Sequence, residues 1–216
     1  MVAFIYLCIL LFIIIFSLYL IYLSSNKCPI KIRKFYLVSL SIIVVRYLSL
    51  LSLWLIQRQR IIYFIKVLTQ LNFVAIPLLV LAAIYIFLRD ENRSFDYNYT
   101  FMIILFLVYC VINIFYKLDI RVDIIFGFIV NYRDILLPNL IYLIIISSFV
   151  VITLLFIDKP YSNTIGMRLL LASLIITVVE LIIFLGGVKI FPYPLMGELC
   201  IIGCSCKAIS TFKIKK

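Results

Sequence analysis

Residues 2–24 read VAFIYLCILLFIIIFSLYLIYLS and carry no charge. The hydrocarbon core of a bilayer is about 30 Å thick and takes roughly 20 apolar residues per helix, so this run is long enough to cross. A secretory signal would begin with a basic segment, hold about 7 to 15 apolar residues and end at small residues. This run starts uncharged, is longer, and ends at Ser24-Ser25-Asn26. It reads as a first membrane span, and the rest of the chain has to be read in the same solvent.

Composition agrees along the whole length. Of 216 residues, 67% are hydrophobic and 13% charged, with a mean hydropathy of +1.28; a soluble domain is about 45–50% apolar and about a quarter charged. A water-soluble globule is excluded, and so is disorder, which needs low hydrophobicity and high charge. The expected fold is an all-α polytopic transmembrane bundle. Spans are predicted at 2–24, 35–56, 69–88, 99–118, 135–157, 167–188 and 193–209. The last run contains Glu198 and is the weakest, so the count is seven or six. The first part of the run 61–88, with Lys66 and Gln70, is expected to lie in the interface as an amphipathic turn or two. Residues 117–134 mix charges with an apolar centre too short to cross, and read as a connection with an interfacial or re-entrant piece. No internal repeat is visible, and the whole chain is one integral membrane domain.

The net charge of +11 arises from 20 Lys and Arg against 9 Asp and Glu. The bases sit in short connections between apolar runs, which points to topology and anionic headgroups rather than to nucleic acid. With the N-terminus outside and seven spans, 12 bases fall inside and 7 outside, Arg46 being set apart as intramembrane. The positive-inside bias therefore favours an outer N-terminus and a cytoplasmic C-terminus. Isoleucine, phenylalanine, tyrosine and lysine abound, as in low-GC genomes, which fits the plasma membrane of a bacterium. On that topology the Asn92-Arg-Ser and Asn98-Tyr-Thr sequons face inward and are chance matches.

Few residues carry chemistry. Arg46 and Glu180 lie deep in apolar runs and at similar depth in spans two and six. A charge there costs at least about 2.5–3.5 kcal/mol on insertion scales, so a buried Arg46–Glu180 pair is expected, holding the spans together or lining a cavity. In the alternative, Arg46 snorkels and Glu180 is protonated. Glu198, Cys200, Cys204 and Cys206 form the one heteroatom cluster. Cys200 and Cys204 share a helical face and Cys206 does not; without CxxC spacing or His no metal is expected. The six Cys read as small buried hydrophobes, with Cys206 beside Lys207 near the interface, where a thiol is open to lipidation. Phe191-Pro-Tyr-Pro-Leu-Met-Gly197 either just ends a helix and stiffens a turn or caps an outward-facing pocket.

The chain has no His, no G-x-S-x-G, no H-E-x-x-H and no glycine loop for phosphate, so neither enzyme activity nor a cofactor is expected. Seven spans, an outer N-terminus and a basic inner end resemble the seven-helix sensor region at the N-terminus of some bacterial histidine kinases. The local likenesses are Ile76-Pro-Leu-Leu-Val-Leu-Ala-Ala-Ile-Tyr-Ile-Phe-Leu-Arg89, leading into a polar loop, and the turn Phe191–Gly197. The resemblance implies a sensory or regulatory subunit whose output passes through a partner or a further segment, and it carries over no catalytic residue. Two other classes stay open. One is a transport component with Arg46 and Glu180 along its path, and the other is an assembly protein without a ligand. The expected partners are the lipid bilayer and a signalling protein reached through the basic tail.

Overall fold

The structure, a computed structural model, describes residues 2–56, 59–88, 95–123 and 125–212. The polar loop 89–94 and the tail bases Lys213, Lys215 and Lys216 lie outside the described residues.

Six helices are long and apolar enough to cross a membrane. They are α1 (Val2–Lys27), α2 (Ile30–Leu55), α4 (Asn72–Leu88, extended to Leu68 by a 3-10 turn), α5 (Asp96–Phe115), α6 (Leu136–Ile157) and α7 (Thr164–Leu185). Between α2 and α4 lies the short α3 (Gln59–Ile65), which overlaps the start of the stretch expected to lie in the interface. The chain is thus a membrane protein of the multi-pass type. Large apolar side chains such as Phe4, Ile15, Ile114 and Leu155 stay exposed on the helix surfaces. Lipid satisfies such surfaces, because every backbone group is already bonded inside a helix.

The seventh run forms α8 (Met196–Ser210), which at 15 residues falls short of that length. Residues 117–134 hold the departure from an all-α chain. They form an antiparallel hairpin of β1 (Leu118–Asp123) and β2 (Gly127–Tyr132), with Leu118 opposite Tyr132 and Asp123 opposite Gly127. Gly127 has φ +73 at the turn, a conformation that a side chain disfavours. The hairpin packs on the end of α2, and Gln70 Nε2 donates to the Val130 carbonyl (3.2 Å).

α4 is the axis of the bundle: α2, α5, α6, α7 and α8 all pack on it, and nearly all its residues are buried. Pro77 sits inside this helix; neighbouring helices make an internal proline tolerable in a membrane. At one end cluster the hairpin, the 3-10 turn, the start of α1 and the α7–α8 connection, where Tyr6 meets Phe126 and Phe191 at 5.4 and 6.0 Å. At the other end Lys31 pairs with Asp96 (3.0 Å), and the Asn163 amide donates to the Phe87 carbonyl (2.7 Å).

Candidate functional site

The polar centre of the molecule is built where α8 begins. After α7 ends at Leu185, the chain turns back on itself through Phe191-Pro-Tyr-Pro, burying Tyr193 and Leu195 before α8 starts. The first turn of a helix presents amides with no partner of their own, and no side chain of the cap residue Leu195 fills that need. Glu180 of α7 fills it instead. Its Oε1 accepts from the Met196 amide (3.0 Å) and its Oε2 from the Gly197 amide (2.6 Å). A carboxylate at a helix N-terminus is also favoured by the helix dipole. The two helices touch here: a Cβ on Gly197 would stand 2.5 Å from Thr177 Cα.

One residue further on, Glu198 enters the core. Its Oε2 accepts from Arg46 Nη1 and from the Tyr47 hydroxyl (2.6 Å). The Arg46 Nε donates to the Thr69 carbonyl (3.0 Å), and its guanidinium carbon lies 5.2 Å from the centre of the Tyr47 ring. Arg46 and Glu198 are each 1% exposed. Burying either charge alone would be expensive; together, with extra hydrogen bonds, they are tolerated. The structure therefore gives Arg46 a partner, but not the expected one. Glu180 holds the α8 amides and Glu198 holds the arginine. The depth argument placed Glu180 level with Arg46, and the returning connection delivers a second acid to that same level.

Arg46 also borders a chamber of about 20 Å³, shared with Gln70, Asn72, Asn131, Tyr132, Asn139 and Tyr193. Such a volume suits about one water molecule. Buried Glu198 Oε1, Asn72 Oδ1 and the Tyr142 hydroxyl have no hydrogen-bond partner among the described residues. Tyr193 seals the outer side: its hydroxyl donates to the Val130 carbonyl (3.1 Å) and accepts from the Val130 amide (2.9 Å).

The thiols do not converge. Cys204 is buried, Cys200 and Cys206 are half-buried, and all three are free. Among the described residues no three His, Cys, Asp or Glu side chains are placed to hold a metal ion.

Beside Glu180 the returning segment roofs a cleft of about 510 Å³. Ile176, Val179 and Phe184 of α7 form one wall, and Val188, Phe191 and Met196 form the other. Glu180 is its one charged group, and Lys189 lies over the Phe184 ring at 4.8 Å. The sequence marked the Phe191–Gly197 turn and Glu180 separately; the structure brings them together. Sequence reasoning left out Tyr47, Thr69 and Tyr193.

No family model matches the chain, and no curated protein matches it.

Proposed function

We propose that this chain is a membrane-embedded sensory or regulatory subunit, with seven crossings, an outer N-terminus and a cytoplasmic basic tail. An amphiphile with a positively charged head enters the cleft beside α7, and α8 carries the effect to a partner protein. The observation that carries the reading is the double duty of Glu180, which faces the cleft and holds the first amides of α8. A cation drawn to that carboxylate weakens its hold on the helix, and a change at the head of α8 reaches residues 207–212 along one rigid element. The cleft's volume lies within the roughly 300–1,000 Å³ of small-molecule sites. A transport component is less well supported: Arg46 is 1% exposed, and the chamber beside it, about 20 Å³, admits no solute larger than water.

The test is a spin label on Cys206, the other five thiols being replaced, in nanodiscs titrated with dodecyltrimethylammonium. A saturable change in the label's spectrum, lost in folded Glu180→Gln, is expected. No change in the parent, or the same change in Glu180→Gln, overturns the reading.

A further inference from the structure

A second cleft lies at the opposite end of the bundle from the hairpin. α5 and α6 each pack on α4 and hardly on each other. The gap between them, with α4 as its back wall, encloses about 530 Å³ and opens sideways toward lipid. Its lining is aliphatic and aromatic, from Leu81 and Ile84 of α4, Phe101 of α5, and Phe149 and Ile152 of α6. These residues belong to the last turns of α4 and α6 and the first turns of α5, so the cleft sits at one membrane face and does not cross the bundle.

Two features at its rim are polar. Asn98 lines the cleft, and its Nδ2 is buried with no acceptor among the described residues. An amide donor left so in an apolar setting is costly, which favours any ligand that brings an acceptor. Lys159, just past α6, holds its ammonium 5.2 Å from the centre of the Phe156 ring, itself part of the lining. Among the described residues this end of the bundle also carries Lys27, Lys31, Arg33, Lys34 and Arg168 against Asp96 and Asp158. An anionic headgroup is therefore drawn to the mouth, while the interior suits only hydrocarbon.

We propose that the cleft between α5 and α6 binds one anionic phospholipid. An acyl chain lies among Phe101, Phe149 and Ile152, an ester carbonyl accepts from Asn98, and the phosphate faces Lys159. A zwitterionic lipid shares the chain and the ester but gains less at the basic rim, so selection falls on the headgroup.

Native mass spectrometry of the full chain, released from micelles holding equal phosphatidylglycerol and phosphatidylcholine, tests this. One phosphatidylglycerol should be retained in preference. Lys159→Gln should lower its retention about fivefold, the effect of one lysine beside an anionic headgroup. Asn98→Leu should weaken both lipids, and Ile152→Trp, which fills the cleft, should abolish retention. Lys189→Gln, at the other end, should change nothing. Equal retention of the two lipids, no loss in Lys159→Gln, or an equal loss in Lys189→Gln overturns the proposal. Lys159 and Asn98 are not fully buried, so these two variants keep the test available if Ile152→Trp does not fold. The Cys206 label with dodecyltrimethylammonium reads the other cleft and is independent of this outcome.

Discussion

Replacing Glu198 with Leu removes the acid from a pair in which both partners are 1% exposed. Arg46 then keeps its bond to the Thr69 carbonyl but loses its counter-charge, and the Tyr47 hydroxyl loses its acceptor. Breaking one side of a buried pair costs about 3–5 kcal/mol, because the remaining charge is left uncompensated. Hydrogen bonds between membrane helices average only about 0.6 kcal/mol, so the charge dominates and the tyrosine adds little. The expected loss corresponds to a fall of about two to three and a half orders of magnitude in the folding constant. The double variant Arg46→Met with Glu198→Leu removes both charges and should return to within about 1 kcal/mol of the parent. Cys204, 1% exposed, makes the assay simple once the other five thiols are replaced. A thiol-reactive dye reaches it only when the bundle opens, so denaturant or heat titrations in dodecyl maltoside read stability directly. If Glu198→Leu melts with the parent, or if the double variant is worse than the single, the ion pair does not hold α8 to α2 and the reasoning fails.

Gly197→Ala places a Cβ 2.5 Å from Thr177 Cα, a backbone atom that cannot swing aside; a loss of about 1–3 kcal/mol is expected in the same titration, and an unchanged midpoint would contradict the close α7–α8 contact. Tyr193→Phe removes both bonds to Val130, so exchange of the 127–132 amides should quicken while that of α4 does not. Cys28, in the bend between α1 and α2, is pushed from 9.0 up to about 11 by burial, and in a variant with no other thiol its alkylation rate should keep rising to about pH 11 rather than level off near 9. Cysteines placed at Lys189 and at Thr211 should be modified by a membrane-impermeant reagent from opposite sides of sealed vesicles; labelling from one side would remove the seventh crossing.

The six long helices were legible because the bilayer forces apolar runs of sufficient length, and only their ends moved. α1 runs on to Lys27 because Ser24 and Ser25 bond back to the Ile21 and Tyr22 carbonyls and stay helical. The hairpin went unread although a signal was present. Leu118, Ile120 and Val122 alternate with Asp119, Arg121 and Asp123, the period of a strand. A strand, however, needs a partner and a surface; β2 follows directly after the turn, but the surface comes from α2 and the 3-10 turn, far away in sequence. The site was half legible. Arg46, Glu180 and Glu198 stood out as charges in apolar runs, and the expense of burial said that Arg46 needs an acid. Which acid depends on how deep the chain returns after α7, and hydropathy carries no information on depth.

That return also bears on the proposed seventh crossing. At a rise of about 1.5 Å per residue, the 15 residues of α8 reach about 22 Å, too short for a hydrocarbon core of about 30 Å. But α8 does not start at the face where α7 ends. Gly197 lies against Thr177 and accepts the grip of Glu180, while α7 continues to Leu185. The head of α8 is thus about 8–12 Å below the end of α7, by the same rise. In the proposed crossing the extended connection would cover the first part of the thickness and the helix the rest. A break in the membrane at this point is sustainable only because the amides it exposes are met by Glu180 and the residues it lowers are packed by Tyr193 and Leu195. Lengthening α8 to a full span would move Glu198 away from Arg46 and the amides away from Glu180. The shortness of the last helix and the position of the polar centre are therefore one structural fact, and it is the one on which the proposed coupling between the cleft and the tail rests.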